Sequence, residues 1–254
     1  MESEDIKINK LRNEIVRMEA TIFEIETNKQ HNPNRRKLPK LRLELQRLRS
    51  KYENQCQLLE NLEEMTEMTV EMQRAASVGD VTIVRRLLSR GVDPNKRDES
   101  GYSAFLYACG QGHADIAKTM IEGGAHVNDD TATSPLILAT TKCHVDIVKL
   151  LLEHGATIDQ RDSTGRTPLL VACEKNSEDC VTALLHDGAN PNRIDQLSGN
   201  TGLHYAAING NDTIARLLMK YGANNVIRNK SNMTAISIAR SHRHFQVVDV
   251  LAKK

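Results

Sequence analysis

The chain has 254 residues, 34 Lys and Arg against 33 Asp and Glu, 3% aromatic residues and no tryptophan. Balanced charge names no polyionic partner, and so few aromatics argue against one thick globular core. Five cysteines without a paired C-x-x-C spacing argue against both a disulfide scaffold and a zinc site and point to a reducing compartment. The acidic start Met1-Glu2-Ser3-Glu4-Asp5 lacks the apolar stretch of a signal peptide. No run approaches the roughly 18 apolar residues of a membrane span. These features lead to the expectation of a cytoplasmic or nuclear protein.

Residues 1–68 are expected to form a helical hairpin or coiled coil. They contain no glycine, and Ile8, Leu11, Ile15, Met18, Ile22 and Ile25 keep a heptad register. After a break at His31-Asn32-Pro33-Asn34, a second register runs through Leu38, Leu41, Leu45, Leu48, Tyr52, Leu59 and Leu62, with Gln55 as its polar intruder. Pro33 and Pro39 stop a helix from running through the break. An antiparallel hairpin would set Lys7, Lys10 and Arg12 near Glu53, Glu60 and Glu63, and Glu24 and Glu26 near Lys40 and Arg42. A coiled-coil homodimer would use the same seams, and both arrangements stay open at this stage. The densest basic run, Arg35, Arg36, Lys37, Lys40 and Arg42, falls at the hairpin tip. Beside its reading as a solvated turn, it offers a localisation signal or an anion-binding patch, making the chain a nuclear regulator or membrane-surface adaptor. The absence of interleaved aromatics argues against nucleic acid.

From Val70 onward a block recurs about every 33 residues. Its glycines stand in Arg90-Gly91-Val92-Asp93, Gly123-Gly124-Ala125-His126, His154-Gly155-Ala156-Thr157, Asp187-Gly188-Ala189-Asn190 and Tyr221-Gly222-Ala223-Asn224. A period of that size predicts a stacked array of units too small to bury their own apolar faces. The best-formed unit begins at Arg161-Asp162-Ser163-Thr164-Gly165-Arg166. Thr167 caps a first helix with Pro168 at its first position, and a second helix from about Glu178 to His186 ends at Asp187-Gly188. Between units the spacing shortens around Asp129-Asp130-Thr131-Ala132-Thr133 and lengthens by one residue within Asp195-Gln196-Leu197-Ser198. Gln73 and Arg74 at one end, and Arg240, His242, Arg243 and His244 at the other, read as water-facing caps of the array.

These units strongly resemble the ankyrin repeat. The Thr-Pro-Leu-His-x-Ala-Ala signature is matched most fully by Thr201-Gly202-Leu203-His204-Tyr205-Ala206-Ala207 and partly by Ser134-Pro135-Leu136 and Thr167-Pro168-Leu169. Gly112-His113 and the altered Cys143-His144 match the pair that opens the second helix. The resemblance implies an all-α solenoid of about six repeats with short β-hairpin fingers over 69–254, divided near 70–97, 98–129, 130–161, 162–194, 195–228 and 229–254. It also implies that His113, His144 and His204 bond neighbouring loops. Asn95, Asn128 and Asn192 resemble positions where such repeats can be hydroxylated.

Cys109, Cys173 and Cys143 read as small buried apolar groups, and no phosphate loop, nucleophile elbow or dinucleotide motif is present. No enzyme, cofactor or metal is therefore expected. The resemblance implies a non-enzymatic adaptor or scaffold that holds a protein on a concave surface of finger tips and first helices, with the N-terminal helices for oligomerisation or a second partner. The partner-binding residues expected there are Arg97, Glu99, Tyr102, Gln111, Lys142, Arg161, Arg166, Glu174, Lys175, Arg193, Arg228 and Lys230. Their basic bias points to an acidic or phosphorylated segment.

Overall fold

The computed structural model describes residues 4–27, 36–128 and 134–252. The His31–Asn34 break, Arg35 and the Asp129–Thr133 finger lie outside the described residues. The chain divides into two compact units, Met1–Met68 and Thr69–Lys254.

The first unit is an antiparallel pairing of α1 (Glu4–Thr27) with the N-terminal part of α2 (Leu38–Val78). Glu26 meets Arg42 at 2.5 Å and Glu19 meets Arg49 at 2.6 Å, which fixes the register. Both pairs are exposed, so each contributes only about 0.2–1 kcal/mol. The apolar seam does more. Leu11, Ile22 and Ile25 are buried, and Leu41, Leu45, Leu48, Tyr52 and Leu59 are half-buried opposite them. Leu62, expected in that seam, is 57% exposed. In the register of the two ion pairs it lies level with the first turn of α1, which leaves little helix to cover it.

The second unit is two layers of short helices. The first layer takes the end of α2 after Thr69, α4 (Ala104–Gln111), α6 (Pro135–Thr141), α8 (Pro168–Glu174), α10 (Gly202–Asn209) and α12 (Ala235–Ser241). The second takes α3 (Val81–Ser89), α5 (Ala114–Glu122), α7 (Val145–Glu153), α9 (Glu178–His186), α11 (Asp212–Lys220) and α13 (Phe245–Ala252). From α4 on in the first layer and from α3 on in the second, successive helices pack side by side, and each first-layer helix from α4 on packs on the helix that follows it.

Local chemistry sets these boundaries. Ser103, Thr167 and Thr234 cap first helices by accepting the N–H groups of Leu106, Leu170 and Ser237. Pro135 and Pro168 occupy the first turns of α6 and α8, where a missing N–H breaks no bond. The core between the layers is aliphatic and small. Leu87, Ile116, Leu151, Leu184 and Leu218 of the second helices and Ala108, Ala139, Ala172, Ala206 and Ala239 of the first are all buried. Each such large aliphatic side chain contributes about 1.5–3 kcal/mol on burial. The fingers are hairpin-like turns, and among the described residues their pairing is limited to isolated antiparallel bridges, Arg97 to Ser103 and Arg228 to Thr234.

Candidate functional site

Each described finger is folded around one side chain. Asp98 Oδ1 accepts the N–H groups of Ser100 and Tyr102 at 2.9 Å each, and Asp162 Oδ1 those of Thr164 and Arg166 at 2.8 and 2.9 Å. Asn229 Oδ1 does the same for Ser231 and Met233 at 3.0 Å each. Asp195 reaches one residue further, to Ser198 and Asn200, which accommodates the extra residue expected in that finger. These bonds favour the charged form. The Tyr107 hydroxyl, 2.7 Å away, and then the Tyr102 N–H hold the Asp98 carboxyl below the usual carboxylate range. Burial works against ionisation of Asp162 and Asp195, yet the donors of Thr164 and Arg166, and of Ser198, Asn200 and Tyr205, outweigh it and lower both.

The expected partner-binding residues divide sharply on this scaffold. Arg97, Arg161 and Arg228 occupy equivalent places, and each donates from Nη1 to the carbonyl four residues on, that of Gly101, Gly165 or Asn232. Finger five has Ile194 at that place and is held from both sides instead. Arg161 donates to Ile194 O at 3.2 Å, and Lys230 Nζ donates to Gln196 O at 2.5 Å. Arg166 is clamped between Asp162 at 2.9 Å and Glu174 at 2.6 Å. Arg193 pairs with Asp159 at 3.1 Å. Tyr102 lies against Tyr107, with ring centroids 5.4 Å apart. Glu99 is exposed at a finger tip. Gln111, Lys142 and Lys175 form a separate set. They are exposed at the C-terminal ends of α4, α6 and α8, three adjacent helices. In the basic run, Arg36, Lys37 and Lys40 are exposed, and Arg42 is the partner of Glu26.

Two cross-repeat ladders hold the stack. Asn95, Asn128 and Asn192 each donate to the glycine carbonyl of the next repeat, Gly124, Gly155 and Gly222, at 3.1, 2.9 and 3.1 Å. Each also accepts an N–H two residues past that glycine. Asp159 breaks the series because a carboxylate cannot donate, and Arg193 offsets its charge. In the second ladder His113, His144 and His244 bond the carbonyls of Ser77, Gly110 and Ala207 in the preceding repeat. Their rings lie on Gly79, Gly112 and Gly210, where an added Cβ would come within 2.8, 2.8 and 2.9 Å of the imidazole. Where the equivalent residue is Cys143 or Asn176, the next repeat has Ser177 or Asn211 in place of histidine. The joint between the third and fourth repeats therefore lacks the histidine ladder and keeps only the accepting half of the other, in which Asp159 takes the Asn190 N–H at 3.3 Å.

Several end residues and one cysteine differ from expectation. Gln73 stands where the fifth repeat has His204, is only 8% exposed and donates to Lys96 O at 3.2 Å and Tyr102 O at 3.5 Å. His244 is likewise an internal ladder member. Arg74 and Arg240 face water. Cys143 is exposed rather than buried, since its φ of 59° places it at the left-handed residue between two helices. Cys109 and Cys173 are buried, and burial alone pushes the Cys173 thiol up to about 12, leaving no thiolate nucleophile there at neutral pH. The sequence reading missed three exposed apolar side chains, Ile194 and Leu197 in finger five and Ile208 on α10. Leu197 lies within the inserted stretch, which was the available signal.

His204 is the one buried histidine among the described residues. Thr201 N–H donates to its Nδ1 at 3.1 Å, so the ring proton sits on Nε2, 3.0 Å from Met233 O. Burial lowers its pKa below the usual histidine value. The unfolded chain therefore binds more protons in acid, and stability falls as pH drops below about 6.5. The depressed carboxyls of Asp98, Asp162 and Asp195 act later, since their contribution is complete above about 3.9 and is lost as pH falls through their folded values. His204→Gln, which copies the residue at the Gln73 position, should reduce the loss of Tm between about pH 7.5 and about pH 5.5. Equal losses in the two proteins would contradict that assignment.

Comparison with known proteins agrees with this architecture. A family model described as ankyrin repeats (3 copies) matches residues 72–162, 133–195 and 190–254. The chain belongs to the ankyrin-repeat family. An ankyrin repeat-containing protein of Schizosaccharomyces pombe is 39% identical over 54 residues, 21% of this chain and about a quarter of the relative's length, 26%. An ankyrin repeat domain from Acinetobacter baumannii AYE superposes with a TM-score of 0.67 at 30% identity, covering 71% of this chain and 95% of that one. The ankyrin repeat domain of Bcl-3, an IkappaB family member, gives 0.64 at 31% identity over 72% of this chain and 81% of that one. A chain in the complex of a Bdellovibrio bacteriovorus predatory endopeptidase with an immunity protein gives 0.64 at 25% identity, over 72% and 97%. The repeats are a protein-interaction fold. Among the described residues no helix is long and apolar enough to cross a membrane.

Proposed function

We propose that the chain is a non-enzymatic adaptor whose finger tips and first helices hold a protein segment, with the N-terminal helices serving oligomerisation or a second partner. The row Gln111, Lys142 and Lys175 carries this reading. It runs across three neighbouring helices and stays exposed, while the finger cations are engaged inside the fold. A surface fixed in advance by internal bonds loses little entropy when it binds. Its two lysines suit an acidic or phosphorylated segment and would act first on association rate and salt dependence.

Affinity capture from cells tests the assignment. Lys142→Glu with Lys175→Glu should lose the partners that the parent retains, with thermal unfolding unchanged to show an intact stack. Reversing Arg161, Arg166 or Arg193 would be a poorer test, because the first two changes also release a finger and the third breaks the pair with Asp159. Retention of every partner by the Lys142/Lys175 variant would remove this row from the site.

A further inference from the structure

We propose that two copies of the chain associate through α2, whose exposed faces pair antiparallel about a two-fold axis beside Asn54. This rests on the reading above that the N-terminal helices oligomerise, and adds the surface and its geometry. Three observations meet on one helix. The first is spacing. On the face turned away from α1, Leu43, Arg47, Ser50, Asn54, Leu58 and Asn61 follow at intervals of four, three, four, four and three residues, and all are exposed. From Arg47 to Asn61 the spacing reads the same from either end, with Asn54 at its centre.

The second is charge. From Leu38 to Tyr52 the helix carries Lys40, Arg42, Arg47, Arg49 and Lys51 against Glu44 alone. From Glu53 to Met68 it carries Glu53, Glu60, Glu63, Glu64 and Glu67 and no basic residue. Two such helices lying parallel would set like charge on like, whereas antiparallel they set each basic half on an acidic one. The third is incomplete burial. Among the described residues the hairpin buries Leu11, Ile22 and Ile25, while Leu43 and Leu58 on the outer stripe are 51% and 52% exposed. Helical bundles reach stability by burying facing stripes, and an antiparallel partner centred on Asn54 would bring Leu43 of one copy towards Met65 of the other, which is 36% exposed. Asn54 would then face its own counterpart, where paired amides satisfy each other and fix the register. The contact is self-complementary and closes at two copies.

Light scattering on the full chain is the test, and the mass expected is twice the 28.4 kDa of one chain. Arg47→Glu with Lys51→Glu should halve that mass, as should Glu60→Lys with Glu64→Lys, while circular dichroism keeps its helical signal. Mixing the two monomeric variants should restore the dimer, because each then presents the charge that the other has lost. A mixture that stays monomeric would overturn the antiparallel pairing. A parent chain that is monomeric at micromolar concentration would overturn both this inference and the oligomerisation reading beneath it. A dimer that survives both charge swaps and is lost on Phe23→Lys would overturn the α2 surface alone and move self-association to α1.

Discussion

Phe105→Ala should lower the unfolding free energy of the repeat unit by about 3–5 kcal/mol, the range for removing a buried aromatic side chain. Phe105 heads the large side chains that are essentially fully buried, at 2% exposure, and it sits in the first turn of α4. Its backbone N–H also donates to Pro94 O, tying the helix to the end of the previous repeat. Neighbouring helices are held by their own caps and ladders, so the void left by the ring would close only in part. In a stack each repeat touches only its neighbours, so the loss should stay local. Hydrogen exchange should speed up in α3 through α6 more than in α12 and α13. A uniform acceleration, or a cost under about 1 kcal/mol, would mean that the layers are not packed as described.

Ser177→His should destabilise the stack by about 1–3 kcal/mol alone and less in combination with Cys143→Gly, where the loss of the Ser177 cap on the Cys180 N–H remains. The physical reason is the shared space at each joint. An imidazole there lies where a Cβ on the preceding left-handed residue would come within 2.8–2.9 Å, as at Gly79, Gly112 and Gly210. Residue 143 already carries a Cβ and a thiol, and its φ of 59° is itself strained for a side chain. Removing that side chain opens the seat, and the new histidine can then bond the carbonyl of residue 141, as His144 bonds Gly110 O at 3.2 Å. Chemical denaturation of the four proteins in the cycle measures the coupling, and additive costs would contradict the pairing of glycine with histidine across joints.

The repeat architecture was legible because its cues are local and periodic. Gly188 stops α9, Thr167 and Pro168 start α8, and α9 spans Glu178–His186 as read from sequence. Their effects are set by backbone geometry within a few residues. The hairpin seam was legible for the same reason up to Leu59, and failed at Leu62, where coverage depends on where the other helix begins. Side-chain partners were less legible. Arg97, Arg161 and Arg228 looked dispensable to the fold because their acceptors are carbonyls, which every residue has and no sequence pattern marks. Gln73 looked like a solvent-facing cap because its equivalence to His204 appears only when the repeats are superposed. The alternation of glycine with histidine, and of Cys143 and Asn176 with Ser177 and Asn211, was present in the sequence. It becomes readable once the contact between one repeat's turn and the next repeat's second helix is known.

Hydrogen exchange on the complex with a captured partner tests the central claim most directly. Protection is expected at the ends of α4, α6 and α8, around Gln111, Lys142 and Lys175, and at the finger tips, while α5, α7 and α9 exchange as in the free chain. Protection confined to the second-layer helices, or to α1 and the first half of α2, would contradict an adaptor that works through the first-helix face.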